Sequence, residues 1–510
     1  MATASISPIS PISPISPIIP IIKKKTMKNK IFLAAAAILS ATSMTAKVTL
    51  PKIFSDGMVM QQQSTANLWG TATGKHTVKI TTSWNNKTYT ATADKEGKWK
   101  AGVLTPVAGG PYSITLDDGE KTTISNILIG EVWICSGQSN MEMEMKGFKN
   151  QPVENAVSDI LHSTDKSLRL FTVKRNAQLT PATDVTGAWA EACPASVRDF
   201  SATAYYFGRE LRQMLQCPVG LIATSWGGAA CEAWMAADWL KAFPDAKIPQ
   251  TDADVKKTKQ RCPTALYNGM LRPIIGYTMR GAIWYQGEDN IPRYQTYADM
   301  QTAMVEGWRK EWNQGDFPFY YCQIAPYDYT LIGWTYNSAL LREQQMLAEH
   351  KTVNTGMAVL MDAGLEFGIH PRKKAVAGER LALLALSGTY GIKGLSAQSA
   401  YFKEAEFKGD TAVVSFNRAD MWIYGTNGLK SDLVEVAGED RVFYPAKAWI
   451  ERSKLYAKSD KVKKPVAVRY AFRNWAVGDL YSDGLPISSF RSDNWTDDNT
   501  GTKGKEYDIH

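Results

Sequence analysis

At 510 residues and a formal net charge of +8, the chain is too long for one ordinary core and points to several domains. A hydrophobic share of 44% is that of an ordinary globular protein and excludes a largely disordered chain. The positive balance is modest, and a local run such as Lys461-Val462-Lys463-Lys464 reads as solvated surface, so no nucleic-acid partner is expected.

Residues 1–46 read as a tail and a targeting segment. From Ile6 to Pro17 the chain repeats Ile-Ser-Pro, and proline at that frequency forbids a regular helix. Met27 opens a different pattern. Lys28-Asn29-Lys30 is a basic start, Ile31 to Ala41 is apolar, and Met44-Thr45-Ala46 offers a small-residue cleavage site. This is the pattern of a secretory signal, too short for a comfortable permanent span. An exported protein, periplasmic or extracellular, with no membrane span after cleavage is the expectation. The six cysteines (Cys135, Cys193, Cys217, Cys231, Cys262, Cys322) include no Cys-x-x-Cys pair, which speaks against a zinc site or a disulfide scaffold.

Residues 47–125 read as short strands between turns. Val78-Lys79-Ile80-Thr81-Thr82 and Thr88-Tyr89-Thr90-Ala91-Thr92 are examples, and a β-sandwich is expected. From 126 to 392 the pattern changes. Near-continuous apolar strands such as Leu128–Ile134, Val219–Ala223, Gly281–Tyr285, Phe317–Ile324 and Gly356–Met361 alternate with helical segments. That is the signature of a parallel sheet covered on both faces, an α/β domain. Residues 393–510 return to strands and turns, a C-terminal β region.

In an open parallel sheet, ligands bind beyond the carboxyl ends of the strands. After the first strand comes Cys135-Ser136-Gly137-Gln138-Ser139-Asn140-Met141. Ser139 there is either an exposed nucleophile or a helix cap. After the second comes Ser225-Trp226-Gly227-Gly228, whose glycine N–H groups can face an oxyanion or simply form a tight turn. After the third comes Gln286-Gly287-Glu288-Asp289-Asn290, where two side-chain amides either donate to the oxyanion or cap a polar loop. Of the five histidines, His370 alone follows an α/β strand, and it leads into Pro371. It is a candidate base or a capping residue.

Taken together, these segments resemble the sialate O-acetylesterase group of the SGNH hydrolase superfamily. The resemblance rests on Gly137-Gln138-Ser139-Asn140-Met141, on Ser225-Trp226-Gly227-Gly228 through Glu232-Ala233-Trp234, and on Trp284-Tyr285-Gln286-Gly287-Glu288. It continues in Leu266-Tyr267-Asn268-Gly269-Met270 and in Ile369-His370-Pro371 through Gly378-Glu379-Arg380-Leu381. It implies a flavodoxin-like three-layer α/β/α core and hydrolysis of acetyl esters on carbohydrates, with neither metal nor organic cofactor. It further implies Ser139 as nucleophile and His370 as base. The oxyanion donors would be the N–H groups of Ser139 and Gly228 with the Gln286 side chain, or Asn290 in its place. The superfamily often has an Asp three residues before the histidine, but Phe367 stands there. Asp362 or Glu366 is then the expected orienting carboxylate, with a Ser-His dyad as the alternative. Other readings are an acetyl-xylan or other polysaccharide deacetylase, and a non-catalytic carbohydrate-binding surface protein.

Overall fold

In the computed structural model, residues 47–420 and 422–495 are described. The Ile-Ser-Pro repeat, the expected secretory segment and His510 lie outside them. The strand that organises the rest is β1 (Lys121–Gly137), 17 residues long. Its first part pairs antiparallel with strand Gly109–Asp117 of the N-terminal β region. Its second part is buried on both faces and enters the central sheet. The domain boundary expected at 125/126 therefore falls inside one continuous strand.

The central sheet continues with β2 (Asp165–Thr172), β3 (Trp189–Ala192), β4 (Val219–Ser225), β5 (Gly281–Tyr285), β6 (Phe319–Cys322) and β7 (Thr355–Ala358). Their spatial order is β7-β6-β5-β1-β4-β2-β3. All neighbours pair in parallel except the edge strand β3. Successive side chains of a strand point to opposite faces, and the cores follow that period. Trp133 and Cys135 pack with Phe207 and Leu211 of α1 (Ala202–Leu215) and with Leu381 and Leu384 of α4 (Lys374–Gly388). Val132, Ile134 and Trp284 belong to the opposite core. There they join Met304 and Trp308 of α2 (Tyr297–Trp312) and Leu341 of α3 (Ser338–Lys351). The layers are helix, sheet, helix, as expected for the α/β/α core.

After α4 the described residues form strands and turns only. This C-terminal region is bonded to the core. Gly478 N–H donates to Met361 O (2.9 Å), and the buried Arg342 of α3 donates to Ser489 Oγ (3.0 Å) and Arg473 O (2.6 Å). It thereby braces the loop that leaves β7.

Helices α1 and α4 meet at Gly378. A Cβ there would lie 2.6 Å from Tyr206 Cβ and 2.7 Å from Thr203 O. Gly378→Val is expected to destabilise the protein by about 1–3 kcal/mol through overpacking, read as a lower urea or thermal midpoint.

Candidate active site

The site starts from a close approach between strands. Gly137 ends β1 at φ +143, and a Cβ on it would lie 2.2 Å from Tyr285 O. Only glycine fits both demands. Gln138 then turns inward. Its N–H donates to Tyr285 O (2.9 Å), and its side-chain oxygen accepts from Gly287 N–H (3.1 Å). Ser139 follows, half-buried, as the first residue of the short helical turn Ser139–Glu142. First-turn N–H groups have no intrahelical acceptor, and that of Ser139 finds none among the described residues.

The turn after β4 is held against this one. Glu142 accepts the Gly227 N–H (2.8 Å) and is gripped in bidentate fashion by Arg175 (2.6 and 2.7 Å), which also lies over the Trp226 ring. A Cβ on Gly227 would sit 3.3 Å from Ser139 Cβ, so the glycine turn rests directly on the serine. Gly228 adopts φ +71, and its N–H likewise has no acceptor among the described residues. Glu142 and Arg175 were not legible as site residues, because 33 positions separate them in the chain.

Gln286 and Asn290 depart from expectation. The Gln286 amide is fully buried and donates to Ala229 O (3.0 Å) and Asn290 Oδ1 (2.7 Å). Asn290 Nδ2 donates to Glu232 (2.8 Å), and its Oδ1 also accepts from Cys231 N–H (3.0 Å). Both side chains shape the loop after Gly228; the Gln286 amide spends both of its N–H groups there, and Asn290 spends one on Glu232. Trp234 and Trp284 are buried core residues in edge-to-face contact.

His370 lies on the loop between β7 and α4. Neither expected carboxylate reaches it. Asp362 is clamped by Arg380 (2.6 and 2.6 Å) and accepts from Tyr481 Oη (3.2 Å). The Glu366 side chain makes no hydrogen bond or ion pair with a described residue, and only its main-chain oxygen is engaged, by Asp328 N–H (3.3 Å). The partner of His370 Nδ1 is instead Gln151 Oε1. An amide oxygen can only accept, so Nδ1 carries the proton and Nε2 is left with its lone pair. Gln151 comes from a tight loop in which Phe148 and Gln151 exchange main-chain hydrogen bonds (3.0 and 2.9 Å). Glu154 N–H fastens that loop to Arg372 O (3.0 Å), and Phe148 packs its ring edge-on to His370. Burial, reinforced by the nearby Lys374 charge, pulls the His370 pKa down to about 4. The imidazole is therefore neutral at pH 7.

Ser139 and His370 make no direct hydrogen bond with each other in this structure. Their segments are tied by Asn140 Nδ2 donating to Ile369 O (3.2 Å). Among the described residues no group of three or more His, Cys, Asp or Glu side chains is arranged to hold a metal ion. No described helix is long and apolar enough to cross a membrane.

A parallel α/β/α sheet with a serine turn, a glycine turn and a neutral histidine at its strand ends defines a protein of the serine-hydrolase type. Residues 129–382 match the family described as "Carbohydrate esterase, sialic acid-specific acetylesterase". The sialate O-acetylesterase of Rattus norvegicus is 30% identical over 413 residues, covering 68% of this chain and 75% of the relative. That of Homo sapiens is 31% identical over 377 residues, covering 68% and 71%. The crystal structure of a carbohydrate acetylesterase from Xanthomonas citri superposes with a TM-score of 0.80 at 33% identity, covering 88% of this chain and 100% of that one. The chain belongs to the sialate O-acetylesterase family.

The Gln151 contact yields a pH prediction. A base must be unprotonated, so activity is expected to fall on the acid side only as the pH approaches about 4, the His370 value. Gln151→Glu puts a carboxylate on Nδ1, which favours the imidazolium and raises that pKa. The acid limb of kcat/KM should then move up by about one to two units, as followed by acetate release against pH.

Proposed function

We propose that the chain is a serine esterase that removes O-acetyl groups from carbohydrates, with acetylated sialic acid as the first substrate to consider. The observation that carries the reading is the pairing of two unpartnered N–H groups, Ser139 and Gly228, with a neutral His370 whose Nδ1 proton is held by Gln151.

The chemistry follows from those groups. Ser139 Oγ attacks the acetyl carbonyl while His370 Nε2 takes the hydroxyl proton. The carbonyl oxygen becomes an oxyanion and is met by the Ser139 and Gly228 N–H groups, each such donor being worth roughly 3 kcal/mol. The imidazolium returns its proton to the departing sugar oxygen. Water, deprotonated by His370, then attacks the acetyl carbonyl, and the imidazolium returns that proton to Ser139 Oγ as acetate leaves. Gln151 orients the ring but carries no charge to stabilise the imidazolium, so the burden falls on the oxyanion donors. The short apolar segment after Met27 supports export to the periplasm or beyond.

An acidic sugar needs a cation near the acyl site. Arg261 supports this part of the reading: its Nη2 lies 3.6 Å from the point where a Gly228 Cβ would project, and Asp289 holds it by Nε (2.5 Å). Arg261 also lines a cleft of about 550 Å³ with Lys247, Gln250 and Arg293.

Ser139→Ala and His370→Ala should each lower acetate release by about four orders of magnitude or more. Retained activity in Ser139→Ala would refute the nucleophile. Arg261→Met should raise KM for acetylated sialic acid by about tenfold or more while leaving a neutral acetylated xylan unaffected. Equal effects on both, or a wild-type preference for xylan, would turn the assignment to polysaccharide deacetylation.

A further inference from the structure

Behind the proposed nucleophile lies a buried polar cluster that the reaction above does not use. Asn140, the residue after Ser139, is 1% exposed. Its Oδ1 accepts from Lys374 Nζ (2.5 Å), and its Nδ2 donates to Glu288 Oε1 (2.5 Å) and Ile369 O (3.2 Å). One amide thus joins the serine turn, the loop after β5, the residue preceding His370 and the first residue of α4. Lys374 and Glu288 are 1% and 3% exposed, so both charges have left water. Such burial is tolerated when the charges see each other and are hydrogen-bonded. Here the bridging amide supplies an acceptor to one and a donor to the other.

We propose that Lys374 is a positioning residue for the Ser139–His370 pair, acting through the Asn140 amide on the serine turn and through its own charge on the imidazole. The inference rests on the serine-esterase reading. Lys374 is faced by Glu288, by Cys322 of β6 and by the Tyr285 ring 5.6 Å away. Burial drives the Cys322 thiol and the Tyr285 phenol upward, so both are neutral. Burial also lowers Lys374, to about 7, and raises Glu288. His370 is faced by the neutral Gln151 and Phe148 from the loop after Ser139, and by Lys374 from α4. Because His370 titrates near 4, Lys374 is protonated throughout that transition. Its charge opposes protonation of the ring, and the tether keeps Asn140 and Ile369 together. A lysine that served only as a core pin would affect rate or stability, but not the pH at which His370 titrates.

The test compares wild type with K374M and with K374M/E288Q, measuring acetate release from an acetylated sugar across the acid range. The double variant removes both buried charges together, so it decides the matter if K374M alone does not fold. The expected result is a fall in kcat of about tenfold or more with little change in KM, since the acyl and sugar contacts are untouched. The acid limb of kcat/KM should also move up by about half a unit to one unit in the folded variants. An unmoved acid limb, whatever the fall in kcat, would overturn the proposal while leaving the esterase reading intact. Activity surviving in Ser139→Ala and His370→Ala would instead remove the Ser139–His370 mechanism, and this inference with it.

Discussion

Two strands of the central sheet approach so closely at Gly137 that its missing side chain is a steric requirement: a Cβ would meet the Tyr285 carbonyl at 2.2 Å. The chain leaves β1 at φ +143, with Gln138 turned under the neighbouring loop and Ser139 raised at the start of a helical turn. Everything else in the site is referred to that point. Glu142, one turn on, reaches Gly227, and Asn140 reaches Ile369. Any displacement of Gly137 would move all these contacts together.

The charges around the site act chiefly as fasteners. Arg380 fixes Asp362 below the histidine loop, Arg175 fixes Glu142, and Arg293 fixes Glu232 under the loop that follows Gly228. Each pair bonds residues from different segments, so the strand-end loops are tied to one another as well as to the sheet. The consequence for His370 is that Asp362 is spent on Arg380 and an amide holds the ring instead. An amide fixes the tautomer just as a carboxylate would, but leaves the ring a weaker base, because no negative charge favours its protonated form.

The flanking β regions contribute mechanically. The N-terminal strands share β1 with the core, so the Ser139 turn is an extension of a strand anchored at its far end. The C-terminal strands bond to Met361, Asp362 and the buried Arg342, which steadies the long loop between β7 and α4. That loop carries His370 and contains little regular structure of its own.

The sequence by itself determined the alternation of strand and helix, and with it the α/β/α core. Continuous apolar runs bury both faces of a sheet regardless of what lies further along the chain. It also singled out Ser139, Gly228 and His370 as candidates, because ligand-facing residues of a parallel sheet follow the carboxyl ends of its strands. Partners brought by folding from distant segments were not legible. Gln151 reaches His370 across 219 positions, and Arg175 reaches Glu142 across 33. Proximity in sequence favoured Asp362 and Glu366, yet Arg380 stands one helical segment further on and takes Asp362. Gln286 and Asn290 have the right chemistry for an oxyanion, but only the packed structure decides whether an amide faces the solvent cleft or the carbonyls behind it. Local patterns dictate which elements form, because helix and strand periods are local; which side chains meet is decided by packing, where a donor goes to the nearest unsatisfied acceptor whatever its number in the chain.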